Sequence, residues 1–286
     1  MSKFMKKLKN NISIILLVTA MFIGLSLLLY PTISNKWNKK HQSYAIAEYI
    51  EDVSKLDNEK YNEILENAVI YNNALPWKSE KFIMTDKDLK QYNSLLNINN
   101  SGIMGYVDIP IINCKAPIYH GTDNSVLQVG IGHLEWSSLP VGGQNSHCVL
   151  LGHRGLPGAK LFTDLDKIRI GDTFTLTVLD EVHIYQVDNI SIVEPKEIDD
   201  LKIILDKDYC TLVTCTPYGI NTHRLLVRGI RVENADLVRV SADAEQINIF
   251  VAIAAAIIPL AVISLLLIVV SDKRRAIYIQ IRRDLK

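Results

Sequence analysis

The sequence lacks an excess of charge of either sign. Its 286 residues contain 31 basic and 31 acidic side chains, which balance to zero with histidine neutral. Nucleic acid binding requires a net or strongly localised positive surface, because the partner is a polyanion. The sequence therefore predicts no nucleic acid partner. Its length is enough for one substantial domain with additional segments.

Cysteine is scarce, and no metal-binding spacing is present. The four cysteines include no Cys-x-x-Cys pair and no histidine-rich cluster accompanies them, so the sequence predicts no zinc site and no cofactor. Two disulfides would be allowed in an oxidising compartment. However, Cys114, Cys148 and Cys210 lie in or beside apolar, strand-like sequence, which favours buried free thiols. Cys215 lies five residues after Cys210, hence on the opposite strand face, and we expect it to be the exposed thiol.

A first long hydrophobic run covers residues 11–30 and follows a basic tail at 1–10. Twenty helical residues at about 1.5 Å each span the ~30 Å hydrocarbon core of a bilayer. No clear Ala-x-Ala cleavage site accompanies the run, so we favour an uncleaved transmembrane anchor. A signal peptide is the alternative.

A second hydrophobic run covers residues 247–270 and precedes a basic tail at 271–286. Its length and its charged flank favour a transmembrane helix over a buried core helix. By the positive-inside tendency the C-terminal tail is cytoplasmic, and two spans place the N-terminus there too. The sequence thus predicts a cell-membrane protein whose residues from about 31 to 246 face outward.

The outward segment begins with a helical extension over residues 31–100. Apolar residues recur at three to four positions between His41 and Asn73, with a break at Asp57-Asn58. This spacing predicts two amphipathic helices that pack on a larger body. A connection follows over 74–100, with one more short helix near 87–95.

Residues 101–240 change to short β-branched runs separated by turns. Seven runs without regular intervening helices predict a mainly β fold, a closed or nearly closed barrel of about eight strands. One short helix is expected near Ala159–Leu165. The predicted strands are Ile103–Ile109, Ile111–Ile118, His147–Leu151, Thr173–Val178, Val182–Ile192, Tyr209–Thr214 and Arg224–Val232.

Cys215 is the main candidate for chemistry. It ends a strand-like run and precedes Thr216-Pro217-Tyr218-Gly219, a position that can present a nucleophile without burying it. Arg224 lies in the next run, across a short loop, and His153 follows another apolar run. Cys, His and Arg together suggest acyl transfer. Taken alone, a cysteine that closes a strand is more often part of a core.

The sequence Thr211-Leu212-Val213-Thr214-Cys215 resembles the Thr-Leu-x-Thr-Cys signature of sortases, the surface-anchored cysteine transpeptidases of Gram-positive bacteria. His153, 62 residues before the cysteine, and Arg224 also fit the family. The stretches 132–143 and 152–162 resemble the class C, pilin-polymerising branch. So do the C-terminal span and the helical extension, so the resemblance covers essentially the whole chain.

The resemblance implies a role for each candidate residue. Cys215 would attack the Thr-Gly carbonyl of a Leu-Pro-x-Thr-Gly-like sorting signal, and His153 would protonate the leaving amine and later deprotonate the incoming one. Arg224 would hold substrate carbonyls or stabilise the oxyanion. The partners would be a pilin or surface-protein sorting signal and an amine acceptor, here a pilin lysine. The alternatives are attachment of proteins to cell-wall peptidoglycan, hydrolysis of the thioester, and a non-catalytic surface scaffold.

Two nearby residues compete with these assignments, and a third charged residue adjoins His153. His133 is the rival histidine, and we expect a structural role for it. Arg228 lies four residues after Arg224 on the same strand face, so the strand pattern cannot choose between them and the family position favours Arg224. Arg154, beside His153, is expected to be a solvated turn charge.

The chain departs from the class C pattern in its candidate lid, residues 74–82. Class C enzymes usually carry a lid with an Asp-Pro-aromatic motif, in which the ring covers the thiol. Here the corresponding residues are Leu75, Pro76 and Trp77, with leucine in place of aspartate. Trp77 could still cover Cys215, but the charged anchor of such a lid is missing.

Overall fold

The computed structural model describes residues 12–77 and 84–233. The predicted second span at 247–270 and both terminal tails lie outside the described residues, as does most of the candidate lid. The chain divides at Ile33, and everything from Ser34 through the barrel belongs to one compact unit. The domain boundaries given above stay predictions.

Helix α1, Ile12–Ser54, is longer than the sequence pattern indicates. The predicted anchor and the first amphipathic helix are one continuous helix, which passes through Pro31. Among the described residues it is the one helix long and apolar enough to cross a membrane, by length and composition alone. Its apolar side chains near the start, such as Leu16, Leu17 and Phe22, are exposed.

Two shorter helices follow. Helix α2, Asn58–Ala74, begins where Asp57 accepts a hydrogen bond from the backbone N–H of Lys60 at 2.8 Å, which is the break that the sequence predicts. Helix α3, Asp86–Ser94, begins with a capping box between Thr85 and Asp88. It agrees with the short helix expected near 87–95.

Eight strands form a closed barrel, which confirms the predicted mainly β fold. Around the barrel the order is β1-β2-β3-β4-β7-β8-β6-β5, and β5 closes on β1. Two neighbouring pairs, β2/β3 and β4/β7, are parallel, and the others are antiparallel. The strands are β1 Ile103–Ile109, β2 Cys114–His120, β3 Ile131–His133, β4 Ser146–Leu151, β5 Thr173–Val178, β6 Glu181–Val193, β7 Asp208–Thr216 and β8 His223–Val232.

Apart from shifts of one or two residues at strand ends, the structure differs from the predicted elements of the barrel in four places. Strand β2 begins at Cys114 rather than at 111, because a 3-10 turn at Pro110–Ile112 ends in the left-handed residue Asn113. Strand β3 and the one-turn helix α4, Asn124–Leu127, are too short for a sequence pattern to reveal. The helix expected at Ala159–Leu165 is wrong: this segment forms turns that lead into a 3-10 helix from Leu165.

The main core fills the barrel and extends under the helices. Tyr49 of α1 is buried, and its hydroxyl donates to the carbonyl of Met104 at 2.8 Å and accepts from the N–H of Leu179 at 2.7 Å. Tyr71 of α2 and Tyr92 of α3 are buried in the same core. The helical extension therefore packs on the barrel, as predicted.

A second apolar cluster lies on the opposite face of β7. Val213 belongs to this cluster, whereas its neighbour Leu212 belongs to the main core. We call this second cluster the outer apolar cluster. It comprises Val149, Leu201, Val213 and Leu226, with Leu134, Trp136, Leu151 and Val193 partly buried against them.

Candidate active site

Cys215 lies near the end of β7 and is half-buried, whereas the other three cysteines are buried. All four thiols are free, which agrees with the sequence-based expectation. Burial raises the pKa of the Cys114 thiol to about 12, and it also raises that of Cys210. Because the thiolate is the nucleophilic form, neither of these two buried cysteines is suited to attack a substrate.

The ladder between β4 and β7 determines where His153 lies. Every pair in this parallel ladder has the same offset, from Ser146 with Asp208 to Leu151 with Val213. The backbone N–H of Gly152 continues the pairing by donating to the carbonyl of Val213 at 3.1 Å. Two residues beyond the ladder, a continued register would set His153 opposite Cys215.

Two side-chain hydrogen bonds with the same 62-residue offset lie on either side of this pair. The Thr214 hydroxyl donates to the carbonyl of Gly152 at 2.7 Å, just before the two candidate residues. The Arg154 guanidinium donates to the Thr216 hydroxyl at 3.1 Å, just after them. The segment that contains His153 is therefore hydrogen-bonded to the segment that contains Cys215, both just before and just after these two residues.

Thr211, the first threonine of the signature, links β7 to β4 further from the candidate site. The Thr211 hydroxyl lies 2.7 Å from Nε2 of His147, whose Nδ1 lies 2.8 Å from the carbonyl of Lys202. Since a carbonyl only accepts, Nδ1 carries the proton and Nε2 accepts from the threonine. Burial lowers the pKa of His147 to about 4, so the neutral ring persists well below pH 7.

Arg224 lies on the other side of Cys215. The two residues are Cα partners in the antiparallel ladder between β7 and β8. Nη1 of Arg224 donates to the carbonyls of Asn221 and His223 at 3.3 and 3.1 Å. Among the described residues no carboxylate forms an ion pair with this guanidinium, so its charge is available to a substrate.

Arg228, the rival arginine, is engaged elsewhere. Its Nε and Nη2 donate to the carboxylate of Asp188 at 3.0 and 2.9 Å, and its guanidinium lies 4.4 Å from the centre of the Tyr209 ring. It is paired with Thr211 in the β7/β8 register, four residues from Cys215. This geometry supports the choice of Arg224.

His133 is fully buried and has neighbours on both ring nitrogens. Nδ1 lies 2.9 Å from the hydroxyl of Tyr92, and Nε2 lies 2.8 Å from the carbonyl of Ser138. The Tyr92 and His133 rings are also stacked, with their centroids 5.6 Å apart. These contacts agree with the structural role expected for His133.

Arg154 is not a solvated turn charge, so that expectation is wrong. Its side chain is only 8% exposed, and Nη2 lies 2.5 Å from the carboxylate of Asp166. The 3-10 turn that carries Asp166 follows the loop after His153 and brings the carboxylate back to the end of β4. The sequence shows no periodicity in this loop from which the pair could be predicted.

The candidate lid begins with a 3-10 turn at Leu75–Trp77. Leu75 is buried in the main core, whereas Trp77 is 75% exposed. A ring this exposed covers little of the barrel. Residues 78–83 lie outside the described residues, and a covering role for Pro76 and Trp77 stays a prediction.

The outer apolar cluster borders the candidate nucleophile. Val213 and Cys215 are two residues apart on β7, so their side chains leave the same face of the strand. Leu134, Trp136 and Leu151 are only partly buried there and present apolar surface. The described residues contain no group of His, Cys, Asp or Glu arranged to hold a metal ion.

Comparison with known proteins identifies the family. A sortase domain matches residues 107–232. The crystal structure of sortase C1 from Streptococcus agalactiae is 52% identical, covers 67% of this chain and 99% of its own, and has a TM-score of 0.65. Sortase C from Clostridium perfringens is 45% identical over 67% of this chain and 100% of its own, with a TM-score of 0.60.

A curated relative gives the same family. Sortase A of Streptococcus agalactiae serotype III is 29% identical over 212 residues, which are 72% of this chain and 79% of the relative. The chain belongs to the sortase family, the cysteine transpeptidases. Its structural relatives place it in the class C branch.

Proposed function

We propose that this class C sortase is anchored in the membrane and polymerises pilins, with Cys215 as nucleophile, His153 as general acid and base, and Arg224 as substrate and oxyanion stabiliser. One observation carries the assignment of the site. Cys215 has Arg224 as its Cα partner on β8, and the β4/β7 ladder, if continued by two residues, would set His153 opposite Cys215. This register supports a site in which a nucleophile, a proton carrier and a permanent cation would meet at one end of the barrel.

The first half-reaction forms a thioester. The Cys215 thiolate attacks the carbonyl carbon of the Thr-Gly bond in a Leu-Pro-x-Thr-Gly-like sorting signal, and the carbonyl oxygen becomes an oxyanion. The Arg224 guanidinium stabilises that negative charge. As the C–N bond breaks, His153 gives its proton to the departing glycine amine. The products are an acyl-enzyme at Cys215 and a peptide with a free amino terminus.

The second half-reaction transfers the acyl group. The ε-amine of a pilin lysine attacks the thioester carbon, and neutral His153 takes the proton that the amine releases. The C–S bond breaks, the Cys215 thiolate is regenerated and a new amide joins the two subunits. Because one amide bond is broken and one is formed, the chemistry needs no external energy source and no cofactor.

The outer apolar cluster is a suitable surface for the donor peptide. A sorting signal begins with leucine and proline, which need an apolar surface, and this cluster ends at Val213, beside Cys215. The Clostridium perfringens relative has an X-ray structure with the C-terminal cell wall sorting motif. We infer that a sorting signal lies along the face formed by β4 and β7, with its threonine at the thiol.

Membrane attachment is part of the proposal. The apolar start of α1 supports one span by length and composition, and the basic flank after residues 247–270 supports a second. Both termini would be cytoplasmic and the barrel would face outward. The enzyme would then meet its pilin substrates at the outer surface of the cell membrane.

Polymerisation is tested with the full chain in detergent and a pilin subunit that carries both a sorting signal and candidate acceptor lysines. Denaturing gels should show a ladder of covalent oligomers with the wild type and none with Cys215→Ala. A branched peptide that joins a lysine side chain to the sorting-signal threonine should appear in mass spectra of the ladder. A product that ends in free threonine would indicate hydrolysis instead, and transfer only to a peptidoglycan-type amine would indicate wall attachment.

A further inference from the structure

Arg154 occupies an unusual position for an arginine in a loop. It directly follows His153, yet its side chain is buried, with 8% exposed. Nη1 crosses to β7 and donates to the Thr216 hydroxyl at 3.1 Å. Thr216 is the residue after the candidate nucleophile, so the contact joins the neighbours of both candidate catalytic residues.

The same guanidinium contacts two more segments. Nη2 lies 2.5 Å from the carboxylate of Asp166, in the 3-10 turn that precedes β5. The guanidinium carbon lies 5.9 Å from the centre of the Tyr218 ring, in the loop between β7 and β8. One side chain therefore connects the end of β7, the loop beyond it and the segment that leads into β5.

Stability alone does not account for this arrangement. An ion pair with a solvent-exposed partner contributes little to stability, and the Asp166 side chain is 48% exposed. Nε of Arg154 is also buried and has no hydrogen-bond partner among the described residues. A feature that is a weak source of stability and that lies beside a reactive thiol calls for a functional explanation.

A side-chain link between the two segments is needed because the β4/β7 ladder ends before it reaches His153. Pairing between β4 and β7 ends at Leu151, and the last backbone hydrogen bond of the pair runs from Gly152 to Val213. The Thr214 hydroxyl holds the carbonyl of Gly152 on one side of His153. On the other side of His153, the Arg154 guanidinium donates a hydrogen bond to Thr216 of β7.

Gly155 shows that the chain turns away immediately afterwards. Its φ of +75° is in the left-handed region, and a Cβ there would lie 2.8 Å from the Tyr218 ring. Its N–H donates to the hydroxyl of Thr163 within the same loop. Arg154 is thus the last residue of this segment before the chain turns back on itself.

We propose that Arg154 is a positioning residue that holds His153 in register with Cys215. The inference rests on the proposed function, because that function gives His153 its proton-transfer role. The forked guanidinium suits the task because it reaches a hydroxyl and a carboxylate at once, which a lysine ammonium cannot do in the same geometry. Small displacements of a catalytic group can cost about 100-fold in rate, so the tie has a measurable consequence.

A double-mutant cycle on the full chain in detergent tests the proposal. The four proteins are wild type, Arg154→Met, His153→Ala and the double variant, with Arg154→Lys as the conservative replacement. Two probes are used: alkylation of Cys215 by iodoacetamide, which needs no substrate, and acyl-adduct formation with a sorting peptide. Peptide mapping by mass spectrometry assigns the label to Cys215, and thermal melting shows that each variant is folded.

We expect Arg154→Met to slow the peptide reaction about 10- to 100-fold with KM changed less than about threefold, and to slow alkylation as well. With His153→Ala already present, Arg154→Met should change either rate less than about twofold, because its effect passes through the histidine. Arg154→Lys should recover part of the activity.

Equal losses in both backgrounds would show a general structural role and overturn the proposal, as would no loss at all. If the proposed transpeptidase function is wrong, the two probes give a different result. If the wild type forms no peptide adduct while alkylation still depends on Arg154 only when His153 is present, the positioning role stands and the transpeptidase assignment of this site falls.

Discussion

The 62-residue interval between His153 and Cys215 equals the offset of every residue pair in the parallel ladder between β4 and β7. If the register of this ladder continues by two residues, the two candidate residues lie opposite each other. Arg224 completes the arrangement through a second ladder, as the β8 partner of Cys215. Any insertion that shifted either ladder by one residue would turn a side chain to the wrong face of the barrel.

Arg224 and Arg228 lie on the same strand, so substitutions at the two positions can be compared directly. Arg224→Lys should lower kcat about 100- to 1,000-fold, because a stabiliser of the oxyanion is lost, and should leave the melting temperature nearly unchanged. Arg228→Lys should keep kcat within about threefold but lower the free energy of unfolding by about 1 kcal/mol, since it weakens the half-buried pair with Asp188. Steady-state kinetics and urea unfolding measure both. The reverse pattern would assign the catalytic charge to Arg228.

The Thr214 hydroxyl should matter for both stability and rate. Thr214→Val keeps the shape of the side chain but leaves the buried carbonyl of Gly152 without its donor, at a cost of about 1 to 3 kcal/mol. The rate should also fall, by about tenfold, because Gly152 holds the backbone next to His153. Thr177→Val, at another buried threonine on β5, is the control for loss of a buried hydroxyl away from the site. If both variants reacted at the wild-type rate, the hydrogen bond would not position the histidine.

Much of this arrangement could be predicted from the sequence. The limits of β5 are those of the sequence pattern, because β-branched residues alternate between clear turn signals. The pairing of β4 with β7 could not be predicted, since parallel register depends on contacts between distant segments. For the same reason the sequence does not reveal Arg154, whose partners Thr216 and Asp166 are brought to it by the fold.

The lowered pKa of His147 predicts that the folded protein loses stability in acid. Its pKa is lowered from 6.5 to about 4, so the unfolded chain binds more protons than the folded one between those values. Its contribution is complete above pH 6.5 and is lost as the pH falls toward 4. Between pH 7.5 and 5 the loss should be about 2 kcal/mol. Urea unfolding of wild type and His147→Gln at both pH values measures it, and an equally steep pH dependence in the variant would exclude His147 as the cause.

The exposure of Trp77 makes the covering role testable. Because Trp77 is 75% exposed, Trp77→Ala should change the rate of iodoacetamide labelling of Cys215 by less than about twofold. Leu75→Ala is an informative companion because Leu75 is buried in the core, and its loss should lower the melting temperature instead. A labelling rate that rose several-fold in Trp77→Ala would show that the ring does shield the thiol.

The most direct test of the central claim is the site and rate of acylation. The full chain is incubated with a Leu-Pro-x-Thr-Gly-like peptide in the absence of an acceptor amine, and the adduct is located by mass spectrometry. We expect an acyl group on Cys215 and on no other cysteine, no adduct with Cys215→Ala, and formation slowed about 100-fold or more in His153→Ala and in Arg224→Ala. An adduct on another residue, or an unchanged rate in both variants, would contradict the account.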